Sequence, residues 1–134
     1  MRAVVDTNVI VSGIFWAGLP GRVLDAWAAG AFMLPVTERI LDEYFEVIDR
    51  IAAKLRRNDL AVAWKSALFH HAEMVKAPHC FKGCRDSNDA MFVECALSAG
   101  ARYIVSGDED LLVLGKVGEI DIVSPAQFLA SLER

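Results

Sequence analysis

No run in this chain approaches the ~18 consecutive apolar residues of a membrane helix. No secretory leader is expected at this N-terminus either, because Asp6 interrupts the first apolar run before an h-region can form. Basic residues are not in excess: 14 Lys and Arg stand against 18 Asp and Glu, a net charge of −4. That removes the usual electrostatic footprint of nucleic-acid binding. It does not exclude a phosphate-bearing substrate, since bound divalent cations can offset clustered carboxylates. Cysteine is sparse and odd in number, with Cys80, Cys84 and Cys95, which argues against a disulfide framework. His79 stands beside Cys80, but no second Cys or His pair lies at finger spacing to complete four zinc ligands. Repeats, low-complexity tracts and linkers are also absent. At 134 residues and 54% hydrophobic, the chain reads as one domain over 1–134 with a real core. The expectation is a soluble, cytoplasmic protein with no membrane partner.

What is present is a succession of short apolar runs separated by helical patterns. Residues 2–6 read as a buried strand. Val9 to Trp16 are apolar, and Gly18-Leu-Pro-Gly21 reads as a turn. Val23, Leu24 and Trp27 have helical spacing, with Gly30 as the stop. Phe32–Val36 is a second strand candidate. Thr37 then caps an amphipathic helix carrying Ile40, Leu41, Tyr44, Phe45, Ile48 and Ile51. A further helix runs from about residue 59 to 71, and residues 73–76 suggest a third strand. A helix with Met91 to Ala99 stops at Gly100, Tyr103–Val105 is a strand, and Leu111–Leu114 form a helical turn. Ile120–Val123 is the last strand, and Pro125 opens a terminal helix. Strands alternating with helices predict an α/β fold with a mostly parallel central sheet of 4–5 strands flanked by helices in three layers.

The acids carry the chemistry. Asp6 and Asp108 each follow a short Val/Ile-rich strand. In a parallel sheet both lie at one carboxyl edge, where ligands bind. Asp86 and Asp89 stand at the start of a helix, where the exposed N–H groups and the dipole favour carboxylates. Each has a plain structural alternative: Asp86 as a cap, Asp89 as a helix-start acid, Asp6 as a solvated strand end, Asp108 as the cap of a short helix. Glu43 flanks the apolar stripe of its helix, but Asp42, Glu46 and Asp49 share the polar side, so periodicity does not select it. If several acids converge they need a cation, because clustered like charges resist joint ionisation. Hard oxygen ligands suit Mg²⁺ or Mn²⁺, and that chemistry is phosphodiester hydrolysis.

Four segments together resemble the PIN-domain nucleases over nearly the whole chain. They are Val4-Val5-Asp6-Thr7-Asn8-Val9-Ile10-Val11-Ser12, Ile40-Leu41-Asp42-Glu43, Arg85-Asp86-Ser87-Asn88-Asp89-Ala90-Met91-Phe92, and Tyr103 through Leu112. Ser87 stands where many relatives have proline; serine also suits a helix start. The resemblance implies a Mg²⁺ or Mn²⁺ endoribonuclease, often the toxin of a toxin–antitoxin pair, leaving 5′-phosphate and 3′-hydroxyl ends. Carried over by position, Asp6, Glu43, Asp89 and Asp108 are the core catalytic and metal-binding acids, with Asp110 auxiliary. Asn8 and Ser106 would support them by hydrogen bonds. RNA would be gripped by nearby cations, with Arg22, Arg39, Lys82 and Arg85 the candidates in sequence. Single-stranded RNA is favoured, since no groove-reading helix is evident. A homodimer and an antitoxin partner are further implications of the resemblance.

Other classes fit less well. A phosphatase with an aspartate nucleophile would show Asp-x-Asp after the first strand, and here Thr7-Asn8 follow Asp6. A phospho-receiver would need an acceptor aspartate on a middle strand and a later lysine in register. The alternative within the same fold is a non-catalytic or RNA-processing module that binds nucleic acid or protein.

Overall fold

A computed structural model describes residues 1–77 and 87–133, except the side chains of residues 87 and 88. In chain order its elements are β1 (Ala3–Val5), α1 (Thr7–Trp16), α2 (Gly18–Ala28), β2 (Pro35–Val36), α3 (Glu38–Leu55), α4 (Asn58–His71) and β3 (Glu73–Met74). There follow α5 (Ser87–Ala99), β4 (Tyr103–Val105), α6 (Glu109–Leu112), β5 (Lys116–Val117), β6 (Ile120–Val123) and α7 (Pro125–Leu132). The main sheet has the order β1-β4-β6-β5. Its pairs β1–β4 and β4–β6 are parallel, and only β5 runs antiparallel, against β6. A second parallel pair, β2–β3, is joined to β1 by an isolated bridge between Arg2 and Met33. This is the expected α/β architecture of helices around a mostly parallel sheet.

The register decides where the site falls. Val5 pairs with Val105, and Val105 with Val123. The ladder continues one step, as the Asp6 amide donates to the Val105 carbonyl (3.0 Å) and the Ser106 amide to that of Val123 (2.9 Å). Asp6 and Ser106 therefore leave the sheet side by side at its carboxyl edge. The inner strands carry the core: Ala3, Val4, Val5, Ile104 and Val105 are at most 1% exposed, as near-continuous apolar runs in a covered parallel sheet should be. Phe128 of α7 packs edge-on against both Phe32 and Tyr103, at 5.0 and 5.6 Å between ring centres.

Two sequence expectations need correction. Gly18-Leu-Pro-Gly21 is not a free turn but the first turn of α2, where Pro20 lacks only an N–H that had no helical partner. The chain bends sharply into it, at Ala17 (φ 57°) and Gly18 (φ 65°), and α1 meets α2 at 98°. The tight corner rests on Gly13: a Cβ there would lie 2.7 Å from Leu24 Cδ1 and 2.8 Å from the Pro20 carbonyl oxygen. The second correction concerns strands. Of 32–36 only Pro35–Val36 joins a ladder, 73–76 shortens to Glu73–Met74, and β5 had no apolar run to announce it. Thr37 caps α3 as expected, accepting from the Ile40 amide, and the helix that Pro125 opens has a full capping box between Ser124 and Gln127.

Candidate active site

Asp6 is only 4% exposed, so it is not the solvated strand end that one reading allowed. It is the N-cap of α1: Oδ1 accepts the amides of Asn8 (2.7 Å) and Val9 (3.2 Å). Oδ2 accepts the Ser106 hydroxyl. Ser106, itself fully buried, accepts the Asp108 amide at 2.9 Å. One hydroxyl thus ties together the exits of β1 and β4. Asp108 in turn caps α6, its Oδ1 accepting the Asp110 amide at 2.9 Å. The capping roles of Asp6 and Asp108 are real, and they leave carboxylate lone pairs available to a cation.

Burial pushes the Asp6 carboxyl above its ordinary pKa, and the charge of Asp108 adds to the rise. The bonds from Ser106, Val9 and Asn8 pull the other way without cancelling it. A buried acid whose ionised form three donors support only in part is what a bound cation would relieve.

Helix α3 delivers Glu43. Its Oε2 accepts the Thr7 hydroxyl, and the neighbouring Tyr44 hydroxyl donates to the Val5 carbonyl. Tyr44 is completely buried, which pushes its pKa well above the ordinary phenol value and keeps it a donor. Together these bonds lock α3 to the end of β1. Helix α5 delivers Asp89, 7% exposed, from its first turn.

Asp6, Glu43, Asp89 and Asp108 line one pocket of about 200 Å³. Thr7 and Asn8 share its wall, Val47 and Phe92 supply its apolar side, and Arg50 also lines it. Carboxylate oxygens of Asp89, Asp108 and Asp110 lie within 4.8 Å of one another. Asp108 and Asp89 therefore belong to both groupings, with Asp6 and Glu43 in the pocket and Asp110 in the tighter triad. The donors are all carboxylate oxygens, the set that suits Mg²⁺ or Mn²⁺, so the residues fit such an ion.

Of the remaining sequence candidates, only Asn8 shares the pocket wall among the described residues. Asn8 contributes its backbone amide to Asp6 while its side chain is exposed. Arg22 lines a groove with Asp25 and Trp64, and Arg39 one with Met74 and Lys76; neither lines the acidic pocket. Lys82, Arg85 and Asp86 lie outside the described residues, as do His79, Cys80 and Cys84. Thr7, Tyr44 and Arg50 were not foreseen. The signal for Arg50 was legible: Glu43, Val47 and Arg50, at i, i+4 and i+7, share one helix face. A larger, apolar hollow of about 510 Å³ beside Trp27 and Trp64 holds one acid, Glu73, already paired with Arg2 at 2.7 Å.

A covered parallel sheet with carboxylates gathered at its carboxyl edge defines an acid-site α/β protein. The PIN domain family model matches residues 2–110, and the chain belongs to that family, whose fold is of nuclease type. The structure of the T. brucei RRP44 PIN domain is similar, with a TM-score of 0.43 and 16% identity, over 97% of this chain and 79% of that one. Among curated proteins none matches the chain. No single helix among the described residues is long and apolar enough to cross a membrane.

Proposed function

We propose that the protein is a Mg²⁺- or Mn²⁺-dependent endoribonuclease that cuts single-stranded RNA, acting as the toxin of a toxin–antitoxin pair. The observation that carries the catalytic part is the convergence of acids from four separate elements on one pocket: Asp6 after β1, Glu43 on α3, Asp89 on α5 and Asp108 after β4. Four ordinary caps or surface acids would have no reason to meet. When bound, a divalent cation lowers the pKa of a water and neutralises charge on the scissile phosphate. Asp6, Glu43, Asp89 and Asp108 would hold it, with Asp110 joining through the triad. Ser106 and Thr7 fix the carboxylates of Asp6 and Glu43 in place. Val47 and Phe92 form the apolar side of the pocket, opposite in character to its acids. The RNA substrate, the toxin role, an antitoxin, a homodimer and a cytoplasmic location rest on the family resemblance.

The test is cleavage of a defined single-stranded RNA with Mn²⁺, Mg²⁺ or chelator, by the wild-type protein and Asp6→Asn. Cleavage should require the metal and fall by at least ~100-fold in the variant. Equal rates for the two proteins, or cleavage in chelator, would sink the assignment.

A further inference from the structure

The acidic pocket has one cationic side chain among its described lining residues, Arg50. We propose that Arg50 grips a backbone phosphate of the RNA next to the scissile bond, a role that rests on the nuclease reading above. Glu43, Val47 and Arg50 follow one face of α3, two helical turns from first to last. Helical side chains lean toward the N-terminus, so the Arg50 stem leans along that face toward Glu43. Glu43, half-buried, and Arg50, exposed, thus stand in line along the lining of the same pocket.

The present partner of Arg50 is replaceable. Its ion pair is with Glu46 at 3.8 Å, and the two side chains are 56% and 74% exposed. An exposed i,i+4 pair of this length contributes little. A phosphate oxygen pair offers the guanidinium a bidentate, charge-assisted contact that Glu46 at this distance does not. A chain of net charge −4 has particular need of a placed cation where a polyanion must approach carboxylates. A cation serving only to neutralise the acids would be expected in an ion pair with one of them, whereas the pair Arg50 makes is with Glu46, away from the pocket lining.

The experiment compares wild type, Arg50→Ala, Arg50→Lys and Glu46→Gln in cleavage and binding of a short single-stranded RNA with Mn²⁺, across a salt series. Arg50→Ala should raise KM about tenfold with kcat within about threefold, and the lysine variant should recover part of the loss. The salt slope of RNA binding should fall by about 0.7, the value for one contact on a single strand. Glu46→Gln should leave KM within about twofold of wild type, because the pair it removes contributes little. Mn²⁺ affinity without RNA, read by calorimetry, should be unchanged in Arg50→Ala. Unchanged KM and slope in an Arg50→Ala protein beside an active wild type overturn this inference and leave the nuclease reading standing. A fall in kcat alone, or a loss of Mn²⁺ affinity, also overturns it. A wild-type protein that neither binds nor cuts RNA removes both.

Discussion

Ser106→Ala removes a single oxygen and breaks two connections at once. The Asp6 Oδ2 loses its donor, and the Asp108 amide loses its acceptor. A hydrogen bond to a charged, buried partner contributes about 1.5–3 kcal/mol, and the neutral one about 1 kcal/mol. The expected loss is about 2–4 kcal/mol, a large share of the ~5–15 kcal/mol that holds a domain together. For a domain of this size that lowers Tm by roughly 8–15 °C. The loss should depend on pH with a definite sign. The Ser106 bond favours the ionised form of Asp6 and lowers its pKa, so its removal raises that pKa further above the ordinary value. A carboxyl whose folded pKa is raised favours folding below its unfolded pKa and loses that contribution as pH climbs through the folded value. The deficit of Ser106→Ala relative to wild type should therefore be largest at neutral pH and shrink in acid. Metal-free thermal melts from pH 3.5 to 8 measure it. A variant melting within about 1 °C of wild type at pH 7, or a deficit constant across pH, would refute the bridging role.

Asp6→Asn should stabilise the metal-free protein at neutral pH, because the buried charge disappears while the amide oxygen keeps both backbone caps. Saturating Mn²⁺ should reverse that order, since only the wild-type carboxylate is stabilised by the ion; melts with and without metal read both. Gly13→Ala should destabilise by about 1–2 kcal/mol despite the helix preference for alanine, because the Pro20 carbonyl is backbone and cannot turn aside. A melt of that variant equal to or above wild type would show that the α1–α2 corner relaxes freely.

The sheet and most helices were legible because burial and chemistry point the same way. Val4-Val5 and Ile104-Val105 are apolar runs too short for a helix, and each ends on a residue that leaves the sheet edge. Thr37, Ser124 and Gly100 mark helix ends through local chemistry that needs no tertiary partner. The α1–α2 corner was not legible, because its cause is a contact between Gly13 and residues seven to eleven positions on, not a turn motif. Edge strands such as β5, two residues long, leave too little pattern to read. In the site, Asp6 and Asp108 followed from strand position, whereas Glu43 is singled out only in three dimensions, by Thr7. Arg22 and Arg39 were chosen for nearness in sequence, and helix direction carries both to other grooves. Arg50 was written in the 4- and 3-residue spacing after Glu43, a signal that counts only once Glu43 is known to face a pocket.

The proposed nuclease activity requires that the acids of this pocket hold a divalent metal. Anomalous diffraction from crystals of the wild-type protein soaked in Mn²⁺ tests it most directly. A manganese peak is expected within bonding distance, about 2.0–2.3 Å, of carboxylate oxygens from Asp6, Glu43, Asp89 or Asp108, with at least two of them as ligands. A fully soaked crystal with no peak in the pocket, or with manganese only on surface carboxylates elsewhere, would contradict it.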